Sequence, residues 1–441
     1  MYKANDIEKL QEAILSGEKT SSKAESLWRL LFVCSLIFLT AGLLTYLLIL
    51  KKGLAVLPIG QTVLWGNLIV NFVFWIGIAH AGTFISAVLL LLNQEWRLGI
   101  NRFAEAMTII CIALAGLYVI LHLGKPALFY YLFPAENKTS FFLLNFSSAL
   151  NWDFYAILSY LIVSIMFFHI GFLPDFGLMR DKSTKKWKQN LFNFLAMGWT
   201  ASYRHWVHQE KILYILAGIV TALVISVHSI VSLDFAVTLK TGWHTTLYPL
   251  YFVVGALFSG FAMLAVLSFI SMKTRQLQLF IRPLHYSNMS KIMLVTSIIL
   301  ILIFFNEVLF MLIEGMENGE NIFMQKLTGN HAHIYILSLV LTLLLPHLFW
   351  RKSIRENAAK VMIISILILI GMWLERFVIV ISTAQYVHLN ASWVSYKINL
   401  PTIGITVGAI GFMMCFFLLF IRFLPPLSIY ELKKDQRKND A

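Results

Sequence analysis

The chain has 441 residues, of which 59% are apolar and 13% charged, with a mean hydropathy of +0.76. Those proportions exclude a soluble globular protein of this length. The net charge of +13 therefore has to be read through its distribution along the chain before any polyanionic partner is invoked.

A membrane-spanning helix needs roughly 20 apolar residues at about 1.5 Å rise each. The first 27 residues are polar, and Asp6 caps a short amphipathic helix with Ile7, Leu10 and Ile14 on one face, a cytoplasmic surface segment. Ten segments then meet the length requirement: approximately Trp28–Leu50, Leu68–Leu92, Ala104–Leu123, Asp153–Leu173, Ile212–Leu233, Tyr248–Ser271, Ser290–Glu314, Ile334–Trp350, Ala358–Thr383 and Ile403–Leu424. The eighth is the shortest. An all-α integral membrane domain over residues 28–425, followed by a basic cytoplasmic tail at 426–441, is the expected organisation.

Ten spans place both termini on one side. The amino-terminal region, the even-numbered loops and the tail hold 27 of the 35 Lys and Arg, and the odd-numbered loops hold 7. Under the positive-inside rule both termini are cytoplasmic. Topology and attraction to anionic lipid account for the net charge, and nucleic acid is not needed. The longest cytoplasmic loop, Pro174–Lys211, carries seven basic residues and a run from Gly198 to Trp206 that alternates Trp, Tyr, Arg and His, as suits an interfacial anchor.

Cys34, Cys111 and Cys415 each fall inside a span, with no CxxC and no metal-ligand spacing, so neither a disulfide framework nor a cysteine-held metal cluster is expected. No span pairs its histidines as a bis-His cytochrome does, which argues against haem; His205 and His208 read as residues of the polar loop.

Phe74-Trp-Ile-Gly77 with Gly82 in the second span matches Phe252-Val-Val-Gly255 with Gly260 in the sixth, at an offset of 178 residues. Two repeat units, about 65–233 and 245–383, would contain four helices each and so share one membrane orientation. Two parallel four-helix bundles, spans 2–5 and 6–9, with spans 1 and 10 flanking them, follow from this pattern.

Charges within spans are costly unless they are paired or line a polar path. His122 closes the third span at its outer end, and Asn151-Trp152-Asp153 opens the fourth at a similar level. His228 and Asp234 lie near the exit of the fifth span, with His244 in the loop beyond. Any one of these serves as well to cap a helix in headgroup water; together they form a proton-acceptor set working near neutral pH. A deeper set comprises His80, His169, Glu307 and the pair Glu375-Arg376, with Asn101 and Glu105 at the inner entrance of the third span. These read either as satisfied interior residues or as stations of a proton path.

On these residues the chain resembles the NrfD/polysulfide reductase membrane-subunit family, and within it the ActC subunits of alternative complex III, a quinol:cytochrome c (or high-potential acceptor) oxidoreductase. The resemblance covers Trp65 to about Val295. Its text includes Val70–Thr83, Asn101–Thr108, His122-Leu-Gly-Lys-Pro126, Asn151-Trp-Asp153, Gly198-Trp199 with Arg204-His-Trp206, Ser226–Ala236, and Gly242-Trp-His-Thr-Thr246 leading to Phe258–Ala262. Ala79 stands where the family motif would have Gly. The resemblance implies a multi-pass subunit of the bacterial inner membrane that binds no haem or metal and oxidises menaquinol near the outer face. Electrons would pass to an iron–sulfur subunit and multihaem c-type cytochromes, in company with a paralogous NrfD-like subunit and a terminal oxidase. It assigns His122 and Asp153 to the quinol site and His80, Glu105, Asp234, Glu375 and Arg376 to the proton path; by their position at the same boundary, Trp152, His228 and His244 are the further candidates for substrate binding. Whether protons are translocated stays open. The alternative is a proton-coupled secondary transporter working through Glu307 and Glu375-Arg376, which a parallel repeat with few Gly- or Pro-broken helices fits poorly.

Overall fold

A computed structural model describes residues 21–60, 63, 66–132, 149–238, 243, 247–313, 323–324, 326–329, 331–383 and 396–432. Among the described residues, ten apolar helices long enough to cross a bilayer carry the fold. They are α1 (Ser22–Lys52), α2 (Gly66–Leu91), α3 (Asn101–His122), α4 (Ala149–Lys182) and α5 (Tyr203–Ala236). The remainder are α6 (Tyr248–Thr274), α7 (Pro283–Ile313), α8 (Ala332–Trp350), α9 (Ala358–Ser382) and α10 (Leu400–Phe423).

Their neighbours divide them into two bundles. Helices α2 to α5 close one ring, each packing on the next and α5 returning to α2, and α6 to α9 close a second. The rings share a face where α2 lies against α6 and α9. Gly260 of α6 makes that contact close: a Cβ there would overlap the Ala81 side chain of α2. Helices α1 and α10 pair with each other outside the rings, and α10 also rests on α3. Gly42 and Gly408 set the α1–α10 distance, since a Cβ on Gly42 would lie 2.5 Å from the Gly408 Cα. We expect Gly408→Leu to force the pair apart at about 1–3 kcal/mol, read as a lower melting temperature and yield of folded protein; a native melting curve would show that this contact yields freely.

Two helices depart from the sequence expectation. Helix α4 runs through Pro174 to Lys182, and α5 starts at Tyr203, so the intervening polar segment is shorter than Pro174–Lys211 and His205 and His208 sit in the first turns of α5. Proline lacks an N–H and frees the carbonyl four residues before it. That carbonyl belongs to Ile170, and Gln209 Nε2 of α5 donates to it at 3.1 Å. Between the two helices, Lys186–Leu195 is amphipathic: Phe192 packs on Phe176, while Trp187, Leu191 and Phe194 stay exposed on the adjoining face. This suits a helix lying in the headgroup region.

Helices α8 and α9 each contain a π-helical turn, Val340–Leu344 and Val378–Ser382. Carbonyls released by such turns need outside donors. Ser297 Oγ donates to Thr342 at 3.0 Å, and Trp243 Nε1 donates to Ile379 at 2.7 Å. At the end of the molecule where α1 begins and α10 finishes, Arg422 pairs with Glu25 at 2.6 Å and Gln276 bonds Ser21 at 2.8 Å. This is the tail end.

Candidate functional site

Helices α2 and α4 run toward the tail end while α3 and α5 run back, so one polar face from each helix builds a column through the first bundle. Its far end is a carboxyl pair. Asp153 in the opening turns of α4 and Asp234 in the last turn of α5 are 5% and 3% exposed, and their carboxyls lie within hydrogen-bonding reach of each other. Oδ1 of each has no further partner among the described residues. His122, the last residue of α3, and Trp152, beside Asp153, are half-buried at this same end.

Six residues back along α5 from Asp234, about 9 Å along the axis, His228 meets His80 of α2. Their Nδ1 atoms are 2.9 Å apart and both rings are buried. One ring must donate and the other accept, so the two hold different protonation patterns. The Tyr160 ring lies 4.5 Å from His80, and its hydroxyl donates to the carbonyls of Ala79 at 3.1 Å and His80 at 3.3 Å. Thr108 Oγ1 also donates to the Ala79 carbonyl, at 2.9 Å. These bonds fix the backbone that aims His80. The hydroxyls of Thr83, Ser164 and Thr108 surround the Tyr160 oxygen and continue the column.

Toward the tail end the column becomes ionic. Ser86 Oγ donates to Glu105 at 2.8 Å. Arg102 reaches Glu105 at 3.5 Å, Asp175 at 2.8 Å and the Gly171 carbonyl at 2.6 Å, with its guanidinium 3.7 Å over the Phe172 ring. Arg97 pairs with Glu431 at 2.8 Å, and Asn101 Nδ2 donates to the same carboxylate at 3.3 Å.

The second bundle contributes one cluster against this column. Glu375 accepts from the Tyr251 hydroxyl at 2.5 Å and pairs with Arg376 at 3.3 Å. The Arg376 guanidinium lies 4.4 Å from the Phe252 ring, which also packs near His228 at 5.9 Å. Gly255 makes room for it, because a Cβ there would fall 2.7 Å from Arg376 Nη2. Glu307 is half-buried with Lys326 at 3.9 Å and adds its charge to the surroundings of Glu375 and Tyr251. His169 packs beside Phe176 at 5.7 Å, roughly 140° around α4 from Ser164, off the column face. His244 lies outside the described residues.

The structure therefore brings His80, Glu105, Asp153, His228 and Asp234 into one column, with Glu375 and Arg376 alongside. Sequence reasoning missed Tyr160, Arg102 as the hub, Asp175 and Glu431. Glu105 offered a signal: a buried carboxylate implies a cation close by. Among the described residues no group of three His, Cys, Asp or Glu could hold a metal ion.

A family model described as "Polysulphide reductase, NrfD" matches residues 56–388, which include every column residue except Glu431. The chain is similar to the C subunit of the selenate reductase of Mesobacillus selenatarsenatis, 24% identical over 237 residues, 51% of this chain and 53% of that protein. It is also similar to a Halobacterium salinarum protein assigned as the C-type membrane component of a dimethyl sulfoxide reductase, 22% identical over 236 residues, 53% of this chain and 50% of the relative. The chain thus spans about half the length of these curated relatives.

Proposed function

The chain belongs to the NrfD family of polysulphide reductase, and from that premise we propose that it is the quinol-oxidising membrane subunit of a respiratory oxidoreductase. Quinol oxidation releases two protons and two electrons, so it needs a proton acceptor within about 3 Å of a quinol hydroxyl. The observation that carries the reading is the buried Asp153–Asp234 pair at one end of the bundle, two carboxyls side by side on adjacent helices with His122 at the same end. Asp153 is the acceptor in this reading, His122 at the same end is the second, and Trp152 borders the ring. The electrons leave to an iron–sulfur partner docked at that end, which the distribution of Lys and Arg makes the periplasmic one. The similarity to membrane components of selenate and dimethyl sulfoxide reductases is in keeping with a redox-active partner.

At a finer level the reading is ActC-like: menaquinol as substrate, in an alternative complex III with multihaem cytochromes, a paralogous membrane subunit and a terminal oxidase. The column from Asp234 through His228 and His80 to Glu105 is then the proton path, with Glu375 and Arg376 setting the charge beside it.

Purification through a tag on this chain from its native membrane tests the proposal. The expected preparation contains an iron–sulfur protein and oxidises a short-chain menaquinol. A chain that purifies without a redox partner, and that drives proton-coupled solute uptake in liposomes, would replace this reading with the transporter.

A further inference from the structure

We propose that the segment Leu424–Leu432 is a latch that closes the tail-end mouth of the first bundle and keeps water from the Arg102–Asp175–Glu105 network. Three consecutive residues engage three different helices. The Ile429 amide points at Asp175 of α4, and the Tyr430 ring stacks on Trp206 of α5 with centroids 3.4 Å apart. Glu431 takes Arg97, just before α3, and Asn101 in its first turn. Leu427, Ile429 and Leu432 are buried beneath them. A segment that merely trailed from α10 would have no reason to bury three aliphatic side chains and to pair a half-buried carboxylate with an arginine.

The segment forms one wall of a half-open cavity of about 250 Å³ lined by Arg97, Gly171, Gln209, Tyr214, Ser428 and Glu431. Its inner wall is thin: the Gly171 carbonyl is itself the acceptor for Arg102. Water that entered freely would need to pass only this wall to reach the ionic part of the column. Gln209, which lines the same cavity, is occupied by the carbonyl that Pro174 releases, so the cavity wall and the break in α4 are one construction.

The charge on Glu431 decides what kind of latch this is. Burial opposes ionisation of the carboxyl, but Arg97 and Arg102 outweigh it and hold Glu431 below the usual glutamate range. A group with a depressed folded value contributes its stabilisation above its ordinary pKa and loses it only as pH falls through the lower one. The contact is therefore ionised throughout the neutral range, and the latch is mechanical rather than a proton switch. Its residues fall beyond position 388, outside the family match, so the closure is built from a part of the chain that the family model does not cover.

The latch rests on packing and not on the quinol reading, and its test needs no quinol. In the purified complex, Leu98→Cys places a thiol on the cavity wall at a position 7% exposed. Its labelling by a membrane-impermeant maleimide is followed above that of the parent protein. We expect slow labelling in the otherwise native chain. Adding Tyr430→Ala with Glu431→Gln should raise the rate by about tenfold or more, as loss of a charged hydrogen bond and a ring contact implies. Deletion of residues 426–441 should do the same, and where deletion lowers assembly the full-length double substitution carries the test. Fast labelling in the native chain, or equal rates with and without the two substitutions, would overturn the latch.

Discussion

Asp153→Asn is expected to lower quinol oxidation by the assembled complex by about 10²–10⁴-fold, the usual loss when a general base is removed. Asparagine keeps the volume and can still hydrogen-bond Asp234, so the packing of α4 against α5 should survive; what disappears is an oxygen able to take a proton. Because the two buried carboxyls lie side by side, Asp234→Asn should also slow oxidation, since it removes the second oxygen pair able to take the proton on. His122→Ala is expected to abolish oxidation in the same assay. The measurement is the rate of quinol oxidation per complex, with co-purifying proteins quantified to show that assembly is intact. A native rate in an assembled Asp153→Asn complex would move the site away from this end of the bundle, and His228 would become the next residue to test.

The spans were legible because bilayer thickness imposes a length that few other structures need, and the glycines at 77, 82, 255 and 260 hinted at how the bundles meet. Depth was harder. His80 and His228 read as members of two different sets, one deep and one near the boundary, yet their Nδ1 atoms touch. A hydropathy window cannot fix the level of a side chain to within a turn or two, and the partners are 148 positions apart. Pro174 misleads for a specific reason: it looks like the end of a helix until Gln209 supplies the missing bond from α5. Asp175, directly after it, then reads as a loop residue, and Arg102 loses its main partner. Glu431 is hidden by its neighbours, since a stretch with four Lys and Arg after residue 431 reads as a solvated tail. The carboxylate at the outer end of the column needs no such long-range knowledge, because helix direction and the position of Asp153 in its span are enough.

Arg102→Leu should be the most damaging single change in the molecule for stability. Arg102 is 2% exposed and holds Asp175, Glu105 and the Gly171 carbonyl at once, with Phe172 packed on its face. Breaking a buried pair by removing one partner typically costs about 3–5 kcal/mol, because the other charge is left uncompensated; here two carboxyls are left. Arg102→Lys should recover only part of the loss, since one ammonium cannot present the planar fork that reaches Asp175, Gly171 and Glu105 together. Arg376→Leu is a useful comparison: its carboxylate partner is a single residue at 3.3 Å, and Tyr251 still donates to Glu375 after the change, so a smaller loss is expected. The decisive variant removes charge from both sides. If stranded carboxylates are the cause, Arg102→Leu with Asp175→Leu should melt higher than Arg102→Leu alone, because replacing both members of a buried pair is far less costly than removing one. Thermal unfolding of the detergent-solubilised complex, together with its yield, reads all four variants. A native melting temperature for Arg102→Leu would mean that water already reaches this network, and the latch and the dry column would fail together.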